Sequence, residues 1–489
     1  MVPDGRLSRG QVNGISARAM MTPARAGPSI LAPVDPTVLA GPRMTMVRRA
    51  VTIAILVACT WLGALPGATP AAAQGSIVPG AVNRSSLAVE ARYEVRLSLN
   101  MATLRLAATE TISFVNRSGG PIDRLDLNTV LARLGGLQIT AASVDGQPVS
   151  PSVSDQTIRL PLGGVLPDGA SATARLSFRA HFGTRLDGSR WLFTAAGGTF
   201  AAYRWLPWVS RARPFDRPNH GDPFVTVSSP SVRLTVTTDR VARIATNGRR
   251  TSASADRKTQ VFEAADVRDL TFVADTRFGV AVGWVGDTRV HVYARTATAR
   301  SRLLAQATRW LGKLEPLLGP YPWPVLTVAE TAGGYGVESP GAIWIPRGVL
   351  PRNLSWLVAH EIAHQWFYGL VGNDQATQPF ADEAPGDFLA RYVTGSFRVS
   401  RCATAVLDRS IYRYSAACYF EIVYVQGGRL LADVRHRVGS TVFFRALRGY
   451  LAAHRFGMGS TRALIAALDA VDPRDLARLW RPRFPSLLP

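Results

Sequence analysis

His360-Glu361-Ile362-Ala363-His364 carries two imidazoles four residues apart, with a carboxylate next to the first. On a helix, residues i and i+4 share a face, so both rings can reach one metal ion. Glu361 lies about 100° further round and can stand beside that ion as general base toward a bound water. Leu357, Val358, Ile362 and Trp366 flank the motif and predict a buried helix. With seven His among 489 residues, an accidental match is expected only about 0.002 times. Hydrolytic zinc sites of this type take a third protein ligand and leave the fourth position to water. Glu383, nineteen residues after His364 and ahead of another helical stretch, is the candidate. The expected cofactor is therefore one Zn2+ per chain, on His360, His364 and Glu383.

The longer run His360-Glu361-Ile362-Ala363-His364-Gln365-Trp366-Phe367, then Gly372-Asn373-Asp374, then Asp382-Glu383, resembles the gluzincin zinc aminopeptidases. That superfamily includes alanyl aminopeptidases and the leukotriene hydrolase. The resemblance implies His360, His364 and Glu383 as zinc ligands and Glu361 as the base that activates water. It also implies roles outside the motif. Gly336-Val337-Glu338-Ser339 sits where such enzymes carry Gly-x-Met-Glu-Asn, which makes Glu338 the holder of the substrate's free α-ammonium. Tyr424-Val425-Gln426-Gly427 resembles their Tyr-x-Lys-Gly, which makes Tyr424 the hydrogen-bond donor to the developing oxyanion. Both roles are physically coherent. A carboxylate fixed near the metal pairs with a charged N-terminus and rejects internal peptide segments. An oxyanion donor counts most in the transition state.

The implied partners are peptides with a free N-terminus, and the implied fold puts a β-rich domain before a thermolysin-like catalytic domain. Many members add a large helical domain after it. Here about forty residues follow Tyr450, so a more open cleft is expected.

The chain departs from that pattern in named places. Val337 and Ser339 replace Met and Asn, Gln426 replaces Lys, and Phe380 stands where Trp is usual. Pro385-Gly386 follows the third ligand, and proline is tolerated only in a helix's first turn. Glu383 is thus expected near a helix start, with a less regular turn after it that could weaken zinc. Asp387 lies four residues after Glu383, and two readings stand: it orients His360 or His364, or it is a solvated surface charge. His220 is placed in a loop, at the surface or in a cleft wall. Glu330 fits a strand as well as substrate binding. Trp205-Leu206-Pro207-Trp208 is expected to pack between two domains.

Elements able to hold these residues are visible around them. From about Ser85 to Asp275 the sequence alternates, as in Tyr93 to Leu99 and Ala174 to Phe178, with Asp145-Gly146 and Asp168-Gly169 as turns. Leu303, Leu304, Ala307, Trp310, Leu311, Leu314, Leu317 and Leu318 then fall at helical spacing before Gly319-Pro320. Val325 to Val328 reads as a strand, and helical spacing dominates from Leu354 onward. The expected class is α+β. An antiparallel β-sandwich or saddle domain (85–275) precedes a mostly helical, thermolysin-like zinc metallopeptidase domain (276–489).

Residues 1–73 read as a pre-sequence and signal, and 74–84 as a linker. Arg48-Arg49, the apolar run Ala50 to Leu65 and Ala71-Ala72-Ala73 form an export signal. Leu56-Val57-Ala58-Cys59 also reads as a lipobox, which would leave a membrane tether through Cys59. The protein is expected outside the cytoplasm, secreted or attached to the cell envelope. Cys402 and Cys418 are then the remaining cysteines, and both a bridge and two free thiols are open. An apolar content of 47% excludes wholesale disorder, and a single apolar run excludes a multi-span membrane protein. The charge of +22 rests on scattered arginines, which do not indicate a nucleic-acid partner. The alternatives to an aminopeptidase are a zinc endopeptidase with the same metal site and a non-catalytic exported binding protein.

Overall fold

The structure, a computed structural model, describes residues 76–470 and 476–488. The pre-sequence, the signal, Cys59 and the first two residues of the 74–84 linker lie outside the described residues. Among the described residues, no helix is long and apolar enough to cross a membrane.

Strict alternation makes Val89–Asn100 and Arg105–Asn116 long amphipathic strands, each with one face buried. They form the middle of an eight-stranded sheet. Its order is Arg249–Ala253, Thr259–Ala264, Val232–Thr238, Val89–Asn100, Arg105–Asn116, Ser171–His181, Gln138–Val144 and Gln147–Pro148. The pairs are antiparallel except Val89–Asn100 with Val232–Thr238. Asp145-Gly146 makes the hairpin turn, both residues at positive φ (47° and 80°). Two four-stranded sheets share the core, one containing Ile122–Asn128 and Thr157–Leu166, the other Phe200–Ala202 and Phe272–Asp275. Trp208 stacks on Tyr93 (4.1 Å) and Trp205 meets Phe272 edge-on (5.7 Å). Those tryptophans pack within these sheets, correcting their expected place between domains. Their neighbours Tyr203 and Arg204 reach across instead, to Trp344 and Glu338.

The chain then adds a mixed five-stranded sheet in the order Gly279–Val285, Thr288–Ala294, Val325–Thr331, Ala342–Pro346, Val337–Ser339. The expected helix forms as Ala297–Leu318, its N-terminus capped by the Thr296 hydroxyl (3.1 Å from Ala299 N). It buries Leu303, Ala307, Trp310, Leu311, Leu314 and Leu318. Each such large side chain contributes about 1.5–3 kcal/mol. Helices Pro351–Ala363, Phe380–Thr394, Gly427–Val438, Ser440–Ala453 and Thr461–Asp469 follow. The region after 276 is therefore mixed, and helix dominates it only from Pro351 onward. Val325–Thr331 and Ala342–Pro346 are buried at every position. Neither shows the alternation of a half-buried strand.

Candidate active site

The metal motif lies on the helix Pro351–Ala363, with Pro351 opening it and His364 at its C-cap. Across from it, Phe380–Thr394 presents Glu383 in its first turn. The two helices bring three atoms together. His360 Nε2 and His364 Nε2 are 3.1 Å apart, and Glu383 Oε2 is 3.4 Å from the first and 3.3 Å from the second. A tetrahedral ion with bonds of about 2.0–2.1 Å separates its ligand atoms by roughly 3.3–3.4 Å. Glu383 Oε2 is buried without a hydrogen-bond partner. His364 Nδ1 faces the Phe367 carbonyl at 3.0 Å, so it can donate there and leave Nε2 as the ligand atom. Nitrogen, nitrogen and oxygen donors at these separations fit zinc.

Charge points the same way. Glu338, Glu361, Asp382 and Glu383 are all buried around the two imidazoles. Burial raises the Glu361 carboxyl well above its usual range, and Glu338 and Glu383 add to this against His364. Asp382 is raised by burial and by Glu383 beside it. Burial, with Asp222 nearby, pushes Glu338 up to about 7. Burial works against the Glu383 charge too, but the two imidazoles hold this carboxyl well below the usual range. A pocket so rich in carboxylates favours cations.

Two glycines make the geometry possible. A Cβ on Gly386 would lie 3.0 Å from His360 Cε1 and 3.2 Å from His364 Nε2. The imidazoles thus pack directly on the backbone that follows Glu383. The helix runs unbroken through Pro385-Gly386, so the irregular turn expected there is absent. A Cβ on Gly336 would collide with Glu361 Oε1 and come within 2.7 Å of Leu357 Cδ1.

Asp387 corrects both readings made of it. It is fully buried, accepts from Trp356 Nε1 (3.1 Å) and Arg391 Nε (2.6 Å), and makes no hydrogen bond to either histidine. Its contact with His360 is made through Trp356, which stacks on that ring at 5.1 Å. Tyr424 stacks on the same ring at 5.4 Å, from a π-helical turn at Phe420–Gln426. Burial and the neighbouring Glu383 carboxylate raise its phenol well above the usual range, so it keeps its proton.

Cys402 and Cys418 are joined as a disulfide just ahead of that turn. Closing this loop contributes roughly 3 kcal/mol. Gln426, in place of the expected Lys, binds the same loop, donating to Ser400 Oγ (3.0 Å) and the Ala403 carbonyl (2.9 Å) and accepting from Arg483 Nη2 (2.9 Å).

A cavity of about 390 Å³ is lined by His360, His364 and Glu383 together with Glu361, Glu338 and Tyr424. Glu338 sits on the edge strand Val337–Ser339, register-paired with Ile343. The departures beside it are structural: Val337 is in the core, and Ser339 Oγ bonds Asp269 and accepts from Asn247 Nδ2 (2.8 Å). Glu330 is buried in its strand and pairs with Arg347. His220 does line the cavity, its ring 4.4 Å from Tyr335.

Sequence reading missed Tyr203, Asp222 and Gln375. Tyr203 Oη lies 3.4 Å from Asp222 Oδ2 and 3.5 Å from Glu338 Oε1. Asp222 also lines the cavity and pairs with Arg217 (2.6 Å). Only its place in the loop beside His220 could have drawn attention to it.

No family model matches the sequence. Among solved structures, a mutant M1 zinc metallopeptidase from Deinococcus radiodurans superposes with a TM-score of 0.65 at 19% identity, covering 83% of this chain and 96% of that one. The M1 zinc metallopeptidase from the same organism gives 0.62 at 20% identity, over 81% and 93%. A mutant bound to a Tyr-Ser-Ala substrate gives 0.62 at 19%, over 83% and 96%. The chain therefore has the fold of the M1 zinc metallopeptidases, the gluzincin architecture that its motifs resemble.

Proposed function

We propose that this chain is a zinc-dependent aminopeptidase that removes N-terminal residues from peptides. The observation that carries the reading is one cavity lined by three converging atoms able to hold a metal ion and, beside them, a buried carboxylate outside that group, Glu338. Held by His360, His364 and Glu383, zinc would polarise the scissile carbonyl and acidify its water. Glu361 takes that water's proton and delivers it to the leaving amine. Tyr424 donates to the oxygen on which negative charge develops. Glu338, with Asp222 near it, binds the substrate ammonium, so that the first peptide bond is the one presented. The apolar wall of Trp191, Leu192, Val349, Trp356, Leu357 and Phe420 favours apolar side chains at the site. Export fits the Arg48-Arg49 and Ala50 to Leu65 signal, with cleavage after Ala73 or a tether at Cys59.

Hydrolysis of one peptide in free-amino and N-acetylated forms tests the reading. Cleavage of only the free-amino form is expected, and Glu338→Ala is expected to cut its kcat/KM about 10- to 100-fold, the worth of a charge-assisted hydrogen bond. Equal cleavage of both forms would instead favour the endopeptidase. No cleavage of either, by a zinc-loaded chain, would favour the binding protein.

A further inference from the structure

We propose that Gln375 is the positioning residue that fixes the amine anchor relative to the metal ligands, and so sets the one-residue reach of the site. The inference rests on the aminopeptidase reading above. Gln375 is buried in the segment between the metal motif and the third ligand. Its amide nitrogen donates to Glu338 Oε1 (3.0 Å) and to Asp382 Oδ2 (2.9 Å), and its oxygen accepts from Arg204 Nη2 (2.9 Å). Its backbone N–H is fixed on the Phe224 carbonyl (3.1 Å). Both amide hydrogens are therefore committed, one to each of two buried carboxylates.

Those two carboxylates belong to different elements. Glu338 is on the edge strand Val337–Ser339, whereas Asp382 is on the helix Phe380–Thr394 next to the ligand Glu383. Asp382 Oδ1 in turn accepts the Glu383 N–H (3.0 Å). One side chain thus ties the anchor's strand to the ligand's helix. The other contacts of the anchor are longer, Tyr203 Oη at 3.5 Å and Arg204 Nη2 at 3.6 Å. All of these contacts fall on Oε1, which leaves Oε2 to meet the substrate ammonium.

An amide suits this place for a physical reason. Asp382 and Glu338 repel each other electrostatically, and a neutral double donor satisfies both without adding charge. Arg204 fixes the amide's other end. It is buried at φ +40°, with its guanidinium over the Phe224 ring (4.2 Å) and the Tyr368 ring (4.6 Å).

The test uses the zinc-loaded full chain and Gln375→Leu, which keeps bulk and removes both donors. The measured quantities are zinc content, KM and kcat on a free-amino peptide, and inhibition by two probes. One probe is leucinamide, which needs the amine site; the other is acetohydroxamate, which binds metal without an amine. The expected result is unchanged zinc, KM raised about tenfold or more, and leucinamide inhibition weakened in parallel with acetohydroxamate unchanged. Loss of zinc, equal weakening of both probes, or no change in either would overturn the assignment. Should Gln375→Leu not fold, Gln375→Asn is the second variant: it keeps the amide but is one methylene too short to reach both carboxylates, and the same split is expected. A wild-type chain that cleaves no free-amino peptide overturns the aminopeptidase reading itself. A cleaving wild type matched by its variants overturns only the role of Gln375.

Discussion

Glu361→Gln is expected to lower kcat by about 10²- to 10⁴-fold, the usual worth of a general base, with zinc content unchanged. The carboxylate is no metal ligand, since the three converging atoms come from His360, His364 and Glu383. It lines the cavity beside them, held against Gly336 where a methyl group has no room. Burial raises its proton affinity, which is what accepting a proton from water requires. The amide keeps the shape and cannot accept that proton. Parallel measurement of kcat and zinc separates the two roles. A kcat within tenfold of wild type would place the base elsewhere. Loss of zinc would make Glu361 part of the metal's support.

The second large effect concerns the metal itself. His364→Ala is expected to abolish stoichiometric zinc binding and to drop hydrolysis to background, because two ligands no longer close a site built for three. Gly386→Val is expected to do the same with every ligand in place. Its Cβ alone would already stand 3.0–3.2 Å from atoms of both imidazoles, and the γ-methyls would force them apart. Zinc content after dialysis, with circular dichroism as the folding control, checks both. A folded Gly386→Val chain that keeps a full zinc complement would show that the imidazoles can shift and still bind.

Much of this site was legible because it is local. His360 and His364 needed only the i, i+4 rule, and Glu361 only its neighbour. Glu338 and Tyr424 were reachable through resemblance, although the first motif is altered on either side of its glutamate and the second at Gln426. What the sequence concealed is the polar scaffold between them. Tyr203 and Glu338 are 135 residues apart, and Arg204 and Gln375 are 171 apart. No spacing rule links such positions, and only the packing of the N-terminal sheets on the five-stranded sheet and on the segment between the two site helices brings them together.

Asp387 shows the limit of the local rule. Four residues after Glu383 it lies about 40° round the helix, enough to aim at Trp356 and Arg391 and miss the histidines. Pro385-Gly386 looked like damage because the sequence does not reveal that the imidazoles lie on Gly386. The five-stranded sheet was half seen for a further reason. Ala342–Pro346 is buried at every position and offers no period-2 alternation, although the inner strand Thr288–Ala294 does alternate and Val325 to Val328 reads as a strand.

The most direct measurement is a zinc titration into chain stripped by a chelator, following bound metal and hydrolysis of a free-amino peptide together. Activity is predicted to rise in proportion to bound zinc and to level off at one equivalent per chain. Hydrolysis by the stripped chain, or a full equivalent of zinc bound with none gained, would contradict a zinc aminopeptidase built on His360, His364 and Glu383.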